Sequence, residues 1–232
     1  MGGPVGIGAM QSKHIGIAGI AKCSTPNMPH TVASELLCGN LARILFLPVP
    51  PSFIVQDNEN LPHHVSLNFA VAGESLPPVD PIAVVSHDPI LACGIVLFDI
   101  WIGNKDRHNG NMAFDAQTRT ITLFDHSHAF LAGQDPTQWL NDNQDSIGIG
   151  NHCLVPHISN IKPFIAWNQK VSQIPEFFIL EAVRECVKVG FPAELENVCA
   201  SHLLERRKKL LDLIKRNSGL FRAANPSSFA EL

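Results

Sequence analysis

The sequence predicts an α+β chain in two lobes: a small β-rich N-terminal lobe with one helix, and a mostly helical C-terminal lobe. Three observations lead there. Short apolar runs punctuated by Gly, Pro and Asn fill the first third, with one helical stripe among them. Beyond about residue 78 the apolar residues fall mainly at helical spacing. Between the two lies the segment 73–81, whose Pro77, Pro78 and Pro81 make it the candidate hinge between lobes 1–77 and 78–232.

Each element follows from local pattern. Glycines crowd the first nineteen residues, and the apolar stretches 5–10 and 15–21 flank the polar turn Gln11-Ser12-Lys13-His14, which reads as a hairpin ending near Lys22. After the breaker Ser24-Thr25-Pro26-Asn27, a helix is expected over 31–45, with Leu36, Leu37, Leu41, Ile44 and Leu45 as its stripe and Glu35 on it. Strands follow at 52–56 and 64–72. A nearly all-apolar helix over 89–102 is expected to be buried. It leads into a polar loop, 103–111, then two short strands, 112–114 and 120–124. A long loop is expected over 125–154, then helices near 160–174, 175–190 and 192–216.

Composition narrows the function. With 45% hydrophobic and 16% charged residues the chain is globular rather than disordered. Residues 1–159 hold 6 Lys+Arg against 13 Asp+Glu, and residues 160–232 hold 11 against 8. An acidic body argues against direct binding to nucleic acid, which calls for a basic face. The longest apolar run, 90–98, falls short of the ~20 residues of a membrane span. Six scattered cysteines without a C-x-x-C pair read as buried thiols in a reducing compartment. The expectation is a soluble cytoplasmic protein without membrane contact.

Several familiar patterns fail. Residues 16–23 miss the phosphate-loop pattern, because Ala21 stands where the second Gly belongs and Cys23 where Ser or Thr does. Gly6-Ile7-Gly8 lacks the third glycine of a dinucleotide fingerprint. Ser86-His87-Asp88 are sequence neighbours whose side chains diverge, not a triad.

What remains is the run Asn104 to Asn111, followed by Phe124-Asp125-His126-Ser127-His128. Polar residues crowded between apolar elements are costly unless they do chemistry or satisfy one another. Asp106 and Asn111 stand five apart in a loop after a buried helix, and Asp125 closes a strand fourteen residues later. Protein kinases use this constellation. A loop Asp orients the acceptor hydroxyl, an Asn holds one Mg2+, and a second Asp holds the metals bridging the phosphates. Upstream, Lys22 at a strand end could meet the phosphates, and Glu35 on the helix could hold that lysine.

On these residues the chain resembles the HipA-like kinases, specifically their short bacterial group. Asn104-Lys105-Asp106-Arg107-His108-Asn109-Gly110-Asn111 and the 124–130 segment carry the likeness. Ala33-Ser34-Glu35-Leu36-Leu37, Leu41-Ala42-Arg43, Leu47-Pro48-Val49-Pro50 and Leu203-Leu204-Glu205-Arg206-Arg207 add to it. The resemblance implies a protein-kinase-like two-lobed fold, ATP with Mg2+, and phosphoryl transfer to a Ser/Thr or a small hydroxyl compound. It implies Asp106 as catalytic base, Asn111 and Asp125 as metal ligands, Lys22 as phosphate lysine and Glu35 as its partner. Gly2 and Gly3 would sit at the tip of the phosphate loop, with the first strand of the small lobe expected to be missing or built from elsewhere. Arg107, His108 and His128 would support the site, and an antitoxin-like partner protein is compatible with the family.

Two departures stand out: Asp125-His126-Ser127 replaces the D-F-G of ordinary kinases, and the phosphate loop is short. The second favours an alternative, a pseudokinase that binds nucleotide or a partner without transfer. Milder readings apply elsewhere. His108 and His128 are expected to satisfy buried polar groups, Asp99 to bond loop backbone, and Arg206-Arg207-Lys208-Lys209 to form a solvated helix face. His126 and His128 with Asp125 are a weak transition-metal pattern.

Overall fold

A computed structural model describes residues 16–68, 78–115, 117–130 and 135–232. The expected first strand 5–10, the turn after it, Gly2, Gly3 and most of the hinge lie outside these residues.

The N-terminal part is a three-stranded antiparallel sheet in the order β1 (Gly19–Cys23), β3 (Pro62–Leu67), β2 (Ser52–Gln56), with helix α1 (Thr31–Ile44) packed on it. Register sets Lys22 opposite His64, and both residues line the face turned towards α1. Strand β3 runs to Leu67, and residues 69–72 of the expected strand lie outside the described residues.

Helix α1 is embedded on more than one side. It packs along α6 (Glu176–Val187), where the Cys186 thiol lies 3.5 Å from the Ala33 carbonyl. The Ser34 hydroxyl donates to the carbonyls of His126 and Phe130, at 2.9 and 2.7 Å. Val32, Leu37, Leu41 and Ala42 are fully buried in a core continuous with the C-terminal helices.

That core is organised around α3 (Pro89–Ile102), which is buried from Ala92 onward as its apolar run predicts. The Asp88 carboxylate caps its first turn, Pro89 fits a position that needs no donor, and Gly103 ends it at φ 64°. Gly103 is required twice over: the left-handed backbone disfavours a side chain, and a Cβ there would lie 2.7 Å from Trp139. Strands β4 (Met112–Asp115) and β5 (Thr120–Leu123) form the expected hairpin.

Helix α2 (Pro81–His87), started by the Asp80 cap and Pro81, occupies a stretch for which no element was expected. Three expectations are corrected. The loop expected over 125–154 holds helix α4 (Pro136–Asn143), started the same way by Asp135 and Pro136. The last predicted helix is broken into a 3-10 turn, α7 (Glu196–Arg207) and α8 (Leu210–Arg216). Arg206 is not on a solvated face. It is buried, donating to the carbonyls of Ile100 (2.8 Å), Asn143, Gln144 (3.2 Å) and Ser146 (2.5 Å), so it ties α7 to the ends of α3 and α4. Burial lowers its pKa to about 10, which still leaves it charged at neutral pH.

No single helix among the described residues is long and apolar enough to cross a membrane. The pair α2 and α3 is bent by 117°.

Candidate active site

A cleft of about 300 Å³ lies between the sheet, α1 and the segment after β5. Lys22 enters it from β1, Glu35 from α1, and Asp125 from the backbone just beyond β5. Lys22 Nζ is 2.5 Å from Glu35 Oε1 and 2.7 Å from Asp125 Oδ1, so one ammonium joins two carboxylates from distant segments. Burial works against the charge of Lys22, but the two carboxylates outweigh it and raise its pKa. Glu35 is buried, which alone would favour its acid form. The neighbouring His126 and Lys22 reverse that and hold it well below the usual carboxylate range. The His126 backbone N–H also donates to Glu35 Oε1 at 3.1 Å.

Asp125 sits at φ 61°, a left-handed conformation uncommon outside glycine. Its Oδ1 accepts from the Ser127 hydroxyl at 2.5 Å as well as from Lys22. Burial raises its pKa, yet the bonds from Lys22 and Ser127 prevail and lower it.

The loop after α3 brings up Asp106 and Asn111. Asn111 Nδ2 donates to the Asp106 carbonyl at 2.8 Å and approaches its carboxylate Oδ2 at 3.3 Å. Asp106 keeps its carboxylate partly exposed, with Asn104 Oδ1 accepting from its backbone N–H at 3.1 Å.

Arg107 points inward from this loop. It is fully buried and ion-paired to Asp99 of α3, with Nε 2.9 Å from Oδ2. Its Nη1 donates to the carbonyls of Asn111 and Phe124, at 2.8 and 2.7 Å. One guanidinium therefore fixes Asn111 relative to the residue preceding Asp125. Asp99 also accepts from Asn104 Nδ2 at 2.8 Å and lies 3.1 Å from His152 Nε2. The Leu154 N–H donates to His152 Nδ1, so Nε2 carries the proton and donates to Asp99. Burial opposes ionisation of Asp99, but Arg107 and His152 win and keep it well below the ordinary carboxylate range. The Asp99 carboxylate thus bonds side chains and serves loop backbone through two of them, Arg107 and Asn104, while its own carbonyl accepts from the Asn104 N–H at 2.8 Å.

The supporting histidines differ from expectation. His108 is exposed, accepting locally from the Gly110 N–H, and His128 is exposed too, so neither serves a buried polar group. Loops this short leave both imidazoles on the solvent side. His126 is buried against Phe98 and parts from His128, and no group of three or more His, Cys, Asp and Glu among the described residues could hold a metal ion.

Sequence reasoning missed Asn104, His152, Ser34 and Ser127. Asn104 and Ser127 lie inside the quoted motifs, where position alone could have flagged them. His152 and Ser34 carry no local signal, because their partners are 53 and 92 or more residues away.

A family model described as HipA-like kinase matches residues 20–143, more than half of the chain. No curated protein matches the sequence. Among solved structures, the Helicobacter pylori proinflammatory kinase CtkA superposes with a TM-score of 0.60 at 15% identity, covering 92% of each chain. A chain from the Shewanella oneidensis MR-1 toxin–antitoxin complex of HipA, HipB and operator DNA gives a TM-score of 0.50 at 16% identity. That match covers 89% of this chain and 61% of the other. At these identities both likenesses establish the fold: a kinase-like arrangement of a small sheet with its helix above a helical body.

Proposed function

Because the chain belongs to the HipA-like kinase family, we propose that it transfers the γ-phosphoryl group of ATP, with Mg2+, to a protein Ser/Thr or another hydroxyl acceptor. The observation that carries this reading is the joining of Lys22, Glu35 and Asp125 at one cleft beside the Asp106–Asn111 loop. In it, Lys22 neutralises the phosphates and Glu35 keeps that lysine charged and extended. Asp106, partly exposed and pinned through Asn111 and Asn104, orients the acceptor hydroxyl and takes its proton.

The donor set fits Mg2+. Asp125 Oδ2 and Asn111 Oδ1 are hard oxygens, and neither accepts a hydrogen bond among the described residues. Bound there, the ion would supply charge neutralisation on the transferring phosphoryl group. The chain's own contribution is placement. Arg107 fixes the spacing of the two ligands, and Asp99 and His152 fix Arg107.

A second reading, a nucleotide- or partner-binding module without transfer, draws on the Lys22–Asp125 contact, which occupies one oxygen of the proposed metal ligand. A partner protein is part of either reading, since the Shewanella relative in fold is found with HipB.

The test is paired. Nucleotide affinity is measured by calorimetry, and transfer by labelled ATP with Mg2+ and host lysate, in wild type and Asp106→Ala. A general base contributes typically 10²–10⁴-fold, so the variant is expected to lose about that much transfer while MgATP affinity holds. Wild-type transfer in Asp106→Ala overturns the assignment. Binding without transfer in the wild type selects the second reading.

A further inference from the structure

The cleft does not end at the Lys22–Glu35 pair. Glu35, Gly39 and Arg43 all line it, spaced four apart and so on one face of α1, which carries the cleft about 12 Å along the helix. Facing them are Ser52 of β2 and His64 of β3, with Val49 and Pro50 as apolar walls.

Two polar groups at this far end lack the partners their chemistry asks for. Arg43 donates to Ser52 Oγ at 3.0 Å and Asn40 Oδ1 at 2.6 Å, both neutral acceptors. No carboxylate among the described residues pairs with it, although a guanidinium offers five donors. His64 is more than nine-tenths buried, and its Nε2 makes no hydrogen bond. An unpaired buried polar atom is costly, and at a lined cavity it points to an absent partner. Gly39 keeps the space open. A Cβ there would already touch the Arg43 guanidinium at 3.5 Å, and anything longer would fill the cleft beside it.

We propose that this far end is a second ligand subsite, beyond the ion pair along α1, for a small carboxylate with an apolar body. Its carboxylate sits on Arg43 and within reach of His64, and its body lies against Val49 and Pro50. The subsite stands on the geometry of the cleft and does not depend on phosphoryl transfer.

The full chain without nucleotide is titrated with benzoate, and with benzyl alcohol as the uncharged counterpart, while the His64 imidazole signals are followed by NMR and heat by calorimetry. Benzoate should bind with Kd on the order of 1 mM, as its size allows, and shift the His64 signals. Benzyl alcohol should bind at least about tenfold more weakly, the share of one charge-assisted pair. Gly39→Leu should abolish benzoate binding, and Arg43→Met should weaken it about tenfold. If Arg43→Met does not fold, Arg43→Lys, which keeps charge but loses the planar fork, should weaken it severalfold. Saturating ADP should leave benzoate bound. Unmoved His64 signals, wild-type affinity in the Arg43 variant, or competition with ADP each overturn the subsite. Phosphoryl transfer is measured separately, so its loss or presence decides nothing here.

Discussion

Two clusters of charge lie close together in this molecule, and they are built on opposite plans. Lys22, Glu35 and Asp125 meet at the cleft with side chains 28%, 5% and 33% exposed. Asp99, Arg107 and His152 meet under the loop with exposures of 0%, 0% and 1%. In the first, one ammonium is shared by two carboxylates, and water can reach two of the three groups. In the second, the Asp99 carboxylate and all three of the guanidinium's nitrogens are committed, and water reaches nothing. A shared, wet contact can exchange partners when a ligand arrives. A dry and satisfied one cannot, because every broken bond would strand a buried charge. An exchangeable contact and a rigid one thus lie close together, with Arg107 fastening the loop that carries Asp106.

The comparison breaks first at Arg107. Arg107→Met leaves Asp99 buried without its cation, which should cost about 3–5 kcal/mol and lower Tm by roughly 10 °C in a chain of this length. An unchanged melting curve would sink the claim that this cluster is structural. Glu35→Gln should cost less, about 1–3 kcal/mol, because Lys22 retains Asp125; urea midpoints of the two variants give the order directly. A reversed order would make the cleft cluster the anchor.

A lone imidazole supplies the contrast in pH. Burial, with Arg206 and Lys209 nearby, pushes the His202 pKa down to about 4, while Trp139 and Phe130 pack on its ring. A base with a lowered folded pKa binds its proton more readily when unfolded. Its contribution is therefore complete above pH 6.5 and is lost as pH falls from there towards 4. His202→Leu should flatten Tm over that window. Below about pH 4.5 the carboxylates take over: Glu35, Asp125 and Asp99 all have lowered folded pKa values, so stability present above the ordinary carboxylate range drains away as pH drops. A Tm that rises on acidification in either window contradicts these assignments. The smallest effect is expected at Lys208, whose pair with Glu205 is exposed on both sides. Lys208→Gln should leave the thermal midpoint unmoved.

How much of this was readable beforehand depends on the distance over which each interaction acts. Helix α3 matches its expected bounds because its apolar run, its Asp88-Pro89 start and its Gly103 stop are all local signals. The same Asp-Pro start opens α2 and α4, but Pro-rich and Asn-rich surroundings disguised both. Within the site, the spacing of Asp106, Asn111 and Asp125 was legible because loop and hairpin are consecutive. The Arg107 anchorage was not, since Asp99 reads as an ordinary polar residue at the end of an apolar helix and His152 comes from a segment beyond α4. Arg206 was misread for the same reason. A basic run looks solvated until three carbonyls from the end of α4 and the loop after it turn out to face one of its members.

The seating of α1 against α6 has a consequence for populations. Displacing the helix would bare Val32, Leu37 and Leu41, all fully buried, at about 1.5–3 kcal/mol each. The sum, roughly 5–9 kcal/mol, is comparable to the stability of a whole domain. At equilibrium fewer than about one molecule in a thousand would then hold Glu35 away from Lys22, since each 1.4 kcal/mol is a factor of ten. An effector acting by swinging this helix would need a differential affinity of more than a thousandfold.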